Sequence, residues 1–200
     1  MILAYLRRHA GAGLLVLALL LVTAIYWPGL SGSWLFDDYP NIVDNHGVQP
    51  GEVSIPSLVR AALSSPASDL KRPLASFSFA ANYLAAGLDP YWMKLTNLVI
   101  HLLNGLLAFV LARALLRSVR VGAHPVRERL PSVGRDDNAW IEERSRTECA
   151  PTEQDRRAGI IAALIAAGWM LLPINLTAVL YVVQRMESMA NLFVDRKSVV

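Results

Sequence analysis

Residues 13–26 read Gly-Leu-Leu-Val-Leu-Ala-Leu-Leu-Leu-Val-Thr-Ala-Ile-Tyr, and this run decides the class of fold. It carries no charge, and Arg7, Arg8 and His9 precede it. Such a block resembles a secretory signal. However, no small-x-small cleavage site precedes the polar stretch that follows, and further apolar blocks come later. The run is therefore read as an uncleaved first span over about residues 13–30, with the N-terminus inside.

Outward from this run, the apolar residues continue in blocks separated by polar loops. Hydrophobic residues make up 54% of the 200, and the mean hydropathy is +0.37. That distribution is a membrane signature rather than the helix or strand period of a soluble core. Spans are expected at about 91–116, 158–172 and 174–194, with Pro173 breaking the chain between the last two. Aromatic residues such as Tyr26, Trp27, Trp34, Tyr91 and Trp92 sit near block ends, where an interfacial belt belongs. The fold class expected is an all-α membrane protein of about four transmembrane helices, its external loop carrying interfacial helices.

Charge sets the orientation. The segment 117–157 holds Arg117, Arg120, Arg127, Arg129, Arg135, Arg144, Arg146, Arg156 and Arg157. The segment 31–90 holds Arg60, Lys71 and Arg72 against Asp37, Asp38, Asp44, Glu52, Asp69 and Asp89. The positive-inside rule makes 117–157 a cytoplasmic loop and 31–90 an external one. The short apolar piece 74–86 would reach only about 20 Å as a helix. If it spanned, the Arg-rich loop would be translocated, so it is read as an interfacial helix. The location expected is a bacterial cytoplasmic membrane, multi-pass, with both termini inside.

The Arg-rich loop reads as loosely packed. Its basic character suits topology and anionic lipid contact, not nucleic acid. Its Asp136-Asp137 pair is assigned to solvation. Cys149 has no partner for an internal disulfide. No Gly-rich phosphate loop, Cys/His metal spacing or Ser-His-Asp pattern can be placed. Asn175-Leu176-Thr177 fits a glycosylation sequon but lies in a tight corner at the membrane, and is read as a chance match.

Phe36-Asp37-Asp38-Tyr39-Pro40-Asn41 follows the exit of the first span. A surface loop would tolerate two adjacent carboxylates there, but packing does not explain them. The other reading is a catalytic acid pair facing a lipid-linked substrate. Within the second block Asn97, His101 and Asn104 share one helical face. They either bond neighbouring helices or line a substrate cavity. In the fourth block Tyr181, Gln184, Arg185 and Ser188 share a face. An arginine at that depth costs at least about 2.5–3.5 kcal/mol unless solvated or partnered. Glu187, two residues away, points elsewhere on a helix. A lipid phosphate suits the guanidinium fork, so Arg185, with Gln184, is the expected phosphate-binding pair.

In order, these pieces are the external Phe36-Asp37-Asp38-Tyr39-Pro40, Arg72-Pro73-Leu74 heading a helix that ends in Asn82-Tyr83, 95–104 reading LTNLVIHLLN, and 172–179 reading LPINLTAV. This order resembles the N-terminal part of the GT-C class of integral-membrane glycosyltransferases, nearest the protein O-mannosyltransferase-like proteins that carry tetratricopeptide repeats. The resemblance covers nearly the whole chain outside the Arg-rich loop. It implies inverting transfer of a sugar from a polyprenyl-phosphate donor to a protein or glycan acceptor at the external face, with membrane lipids as surroundings. It carries the acidic pair onto Asp37 and Asp38, one as general base and the other positioning it or helping to hold a metal. A divalent cation serves only some members, and none is assigned. Arg72, Asn97, His101 and Tyr181 are the expected cavity lining. Leu172 departs from a His often found before the corner proline. The switch from apolar helix to Asp195-Arg196-Lys197-Ser198-Val199-Val200 reads as a truncated product of a longer parent.

The competing reading is a non-enzymatic multi-span protein, a transporter subunit or assembly scaffold. It explains the polar span faces equally well. It does not explain an acidic pair at the membrane mouth together with an intramembrane arginine.

Overall fold

The computed structural model describes residues 10–66, 72–121 and 153–194. Lys71, Asp69, the Asp136-Asp137 pair and Cys149 lie outside them. No strand occurs among the described residues. The elements are α1 (Ala10–Tyr26), α2 (Ile55–Ala62), α3 (Pro73–Ala86), α4 (Pro90–Val121), α5 (Glu153–Met170), α6 (Asn175–Leu180) and α7 (Arg185–Val194), with short 3-10 or π turns between several of them.

Among the described residues, two segments are long and apolar enough to cross a membrane, Ala10–Ser31 and Pro90–Ser118. They match the first two expected spans and extend beyond them. The expected third span begins within α5. Glu153, Asp155, Arg156 and Arg157 stand at its start, which leaves about 20 Å of apolar helix before Met170. The expected fourth span over 174–194 is not one helix. It breaks into α6, a 3-10 turn at Val182–Gln184, and α7, because Tyr181 takes an extended conformation at φ −102° and ψ 108°. Four spans are therefore not reproduced. The helix expected at 74–86 is present as α3.

The chain divides into two units. The first joins Met1–Leu17 and Ala108–Ala166. Here Ala158, Ala162, Ala163 and Ala166 form a buried small-residue face on α5, and Arg117 Nε bonds Asp155 Oδ1 at 3.1 Å on the surface. Gly11 packs directly on Gly159. A Cβ added at Gly11 would meet the Gly159 carbonyl carbon at 2.5 Å, whereas one added at Gly159 would find only Gly11 Cα at 3.7 Å.

The second unit joins Ala18–Leu107 and Ala167–Val200. One core cluster gathers Ala18, Val22, Tyr26, Leu98, Met170 and Val179. The other gathers Ile42, Phe79, Met93, Val182, Val183 and Met186, so the loop after α1, the helices α3 and α4, and the broken segment after Pro173 share one interior. Meanwhile Leu20, Leu21 and Ile25 on α1 and Val99, Leu103 and Leu106 on α4 remain exposed. Such rows of uncovered apolar side chains suit hydrocarbon better than water.

The glycine contact predicts an asymmetry. Gly11→Ala must push backbone away from backbone and should destabilise the chain by about 1–3 kcal/mol, the usual range for overpacking. Gly159→Ala should be neutral or mildly stabilising, because alanine favours helix. Thermal unfolding in detergent checks both, and equal effects would contradict the packing described.

Candidate functional site

The site begins at a strained turn. Phe36 is a non-glycine residue with φ +31°, in the left-handed region, and it is 83% exposed. A conformation of this kind costs about 1–2 kcal/mol and needs support. Support comes from Asp38, whose backbone N–H donates to Leu35 O at 2.7 Å and whose Oδ2 accepts the Leu35 N–H at 3.0 Å. Asp38 Oδ1 accepts the Val183 N–H at 2.8 Å across the unit. The Asp38 side chain is fully buried and both its oxygens are occupied. Burial pushes its carboxyl above the usual carboxylate range, and the bonds from Leu35 and Val183, with the nearby Lys94 charge, oppose the shift.

Asp37 behaves differently. It is exposed, and its carboxylate lies against the Tyr181 hydroxyl. Its backbone N–H donates to the Tyr181 hydroxyl at 2.9 Å, and its backbone carbonyl accepts Asn41 Nδ2 at 2.8 Å. Burial raises the Tyr181 phenol above its ordinary value, and the Asp37 and Asp38 carboxylates add to that. The phenol therefore remains protonated. Asn41 Oδ1 is a buried acceptor with no partner among the described residues. The two adjacent carboxylates thus have different fates: Asp38 is buried and fastens the loop, while Asp37 is exposed with its carboxylate against the Tyr181 hydroxyl.

The broken segment is fastened by Asn97, on the long apolar helix α4. Its Nδ2 lies 3.3 Å from each of the carbonyl oxygens of Val179, Tyr181 and Val182, groups that a continuous helix would have satisfied internally. Its Oδ1 accepts Arg185 Nε at 2.7 Å. Arg185 is completely buried. Its remaining bonds run from NH1 to Asn82 Oδ1 at 2.6 Å and Ser78 Oγ at 3.2 Å, and from NH2 to Met93 O at 2.7 Å. Its guanidinium carbon lies 4.6 Å from the centre of the Phe79 ring. Burial pushes its pKa down to about 9, so it is still a cation at neutral pH. Sequence reasoning expected a phosphate partner for this arginine. In the fold the partners are neutral protein groups, which leave no open face for a phosphate, so the arrangement assigns Arg185 to holding the structure. Gln184, its expected companion, is half-buried and donates its backbone N–H to Tyr181 O at 3.2 Å.

Among the expected cavity residues, His101 is buried in a core. Its Nε2 lies 3.1 Å from Met170 O, and its ring packs near Tyr26 and Trp169. Asn104 Nδ2 donates to Ser188 O at 3.2 Å. The polar face of the second span therefore bonds backbone in neighbouring segments, and Asn97 and His101 do not line an open cavity. Tyr181 reaches the Asp37 loop. Arg72 lies elsewhere, at the rim of an apolar cavity, paired with Glu187 at 2.7 Å.

Three contributors escaped sequence reasoning. Lys94 is buried, with Nζ donating to Ser33 O at 2.9 Å. Asn82, which also donates to Thr96 Oγ1 at 2.9 Å, receives Arg185. Glu187 pairs with Arg72. Only Asn82 stood in a motif that drew attention. A divalent cation does not fit Asp37 and Asp38 as a pair, since both Asp38 oxygens receive backbone N–H groups. No three His, Cys, Asp or Glu side chains converge among the described residues.

Comparison with known proteins gives one partial likeness. Over 85 residues, 40% of this chain, it is 32% identical to the protein O-mannosyl-transferase TMTC3 of Homo sapiens, of which that stretch spans 9%. No protein-family profile matches, and no solved structure matches. The two apolar helices suit association with a membrane.

The Arg185 network predicts a clear mutational outcome. Arg185→Met strands the acceptors of Asn97, Asn82 and Met93, and each unsatisfied buried group costs about 1–3 kcal/mol. The variant should therefore unfold far below the wild type in detergent. Arg185→Lys keeps the charge but cannot reach three acceptors through a fork, and should recover only part of the loss. A Met variant as stable as the wild type would contradict a structural role.

Proposed function

We propose that this chain is part of a membrane glycosyltransferase that transfers a sugar, mannose in the first instance, from a polyprenyl-phosphate donor to an acceptor hydroxyl at the external face. Asp37 is the general base. Its carboxylate takes the proton of the acceptor hydroxyl as that oxygen attacks the anomeric carbon. The bond from that carbon to the phosphate oxygen breaks on the opposite side, and the lipid phosphate leaves with the bonding electrons. The configuration inverts.

The observation that carries this reading is the division between the two carboxylates. A base must be accessible, and Asp37 is exposed, while Asp38 and Tyr181 hold the loop that presents it. The partial likeness to a protein O-mannosyl-transferase supports the reaction class and the choice of mannose. The N-terminus inside and the acidic loop outside complete the proposal.

Asp37→Asn keeps size and polarity and removes the base. Transfer from polyprenyl-phosphate-mannose by the full protein should fall by about 10²–10⁴. The melting temperature should hardly move, since the side chain is exposed. Retention of near-normal transfer would refute the assignment.

The orientation has its own test. Ser57 is buried, so the external reporter belongs at the exposed Val53. In a Cys149→Ser background, Val53→Cys should react with an impermeant thiol reagent in intact cells, and Ser132→Cys should react only after lysis. The reverse pattern would overturn the topology and the site with it.

A further inference from the structure

Arg72 is the second of the two described non-glycine residues with positive φ, at +36°, and it caps the start of α3 with its carbonyl rather than its side chain. The side chain instead pairs with Glu187 at 2.7 Å. Both groups remain open to solvent, with side-chain exposures of 39% and 60%. The pair lines an open pocket of about 270 Å³ together with Leu74, Ala75, Met186 and Met189. That volume is near the lower end for a small-molecule site, enough for part of one alkyl chain but not for a folded polar ligand. The lining is mostly apolar, two of its side chains are thioethers that adapt to irregular chains, and its two charges sit together as one ion pair.

We propose that this cavity binds a bilayer phospholipid with a zwitterionic phosphoethanolamine headgroup, one alkyl segment entering between Leu74 and Met189. Charge complementarity selects the occupant. Among the described residues lining the site, an anionic headgroup on Arg72 would place two anions, its own and Glu187, around one cation. A phosphoethanolamine headgroup brings one charge of each sign. Its phosphate takes N–H donors of Arg72 not used by Glu187, and its ammonium donates to the free oxygen of Glu187. The four charges then alternate in sign and the existing pair need not break. A choline headgroup has no N–H to donate to the carboxylate, so the site distinguishes primary amine from quaternary amine. This inference depends on membrane association and not on the transfer reaction, so either can fail without the other.

The test uses the full chain purified in a neutral maltoside detergent and radiolabelled lysophosphatidylethanolamine as probe. Competitors are lysophosphatidylcholine, dodecyl phosphate and inorganic phosphate. The ethanolamine lipid should bind saturably, and the other three should compete about tenfold less well or worse. Arg72→Gln and Glu187→Gln should each weaken binding by about tenfold or more, and Met189→Glu should abolish it. Thermal unfolding run in parallel shows whether each variant is folded. Should Arg72→Gln fail to fold, the exposed Glu187→Gln carries the decision. Tighter binding in Glu187→Gln, with dodecyl phosphate the better competitor, would overturn the proposal in favour of an anionic amphiphile. Equal binding by the wild type and both neutralised variants would show that no headgroup site exists.

Discussion

The carboxamide of Asn97 meets two demands that a hydrocarbon-flanked protein cannot leave unmet. The chain after Pro173 stops being helical at Tyr181, which frees backbone carbonyls, and Arg185 brings a buried cation four residues later. Asn97 approaches the first with its Nδ2 and the second with its Oδ1. An unsatisfied carbonyl away from water costs several kcal/mol, and an unpartnered guanidinium more. One amide on a rigid membrane helix therefore makes the break tolerable and fixes where it falls.

The consequences run outward to the loop. With the segment broken at Tyr181, the Val183 N–H is free to reach Asp38 and the Tyr181 hydroxyl is free to reach the Asp37 backbone. Both contacts support the turn at Phe36 in its left-handed conformation, and that turn leaves one of two neighbouring carboxylates buried and the other exposed. The same chain of bonds positions the exposed Asp37 and keeps Asp38 away from chemistry. A continuous fourth helix would have removed the partner of each aspartate.

Two helices long and apolar enough to cross a membrane, and α3, were legible in the sequence, since they rest on local hydropathy and on helix-bounding prolines. The break at Tyr181 was not. Residues 174–194 are apolar enough to read as one span, and what interrupts them is partners from 82 to 145 positions away, Asn97 and Asp38, that no local pattern announces. The same distance explains Arg185. Its burial and lack of a carboxylate at helical spacing were readable, but phosphate was inferred because Asn82, Ser78 and the Met93 carbonyl were not yet known to converge on it. Glu187 was rightly excluded as a partner for Arg185, yet its true partner, Arg72, comes from the start of another helix. The equivalence of Asp37 and Asp38 in sequence hid their division, because burial is decided by the turn and not by residue type.

The claim that Asn97 and Arg185 act as one unit is tested most directly by a double-mutant cycle, Asn97→Leu and Arg185→Met, read by equilibrium unfolding in detergent. The account predicts that the double variant is little worse than the worse single variant, a coupling of about 2 kcal/mol or more, because each single change already strands the other's polar groups. Effects that add within about 0.5 kcal/mol would mean that the two residues act independently, and the polar junction would not be what holds the segment in place.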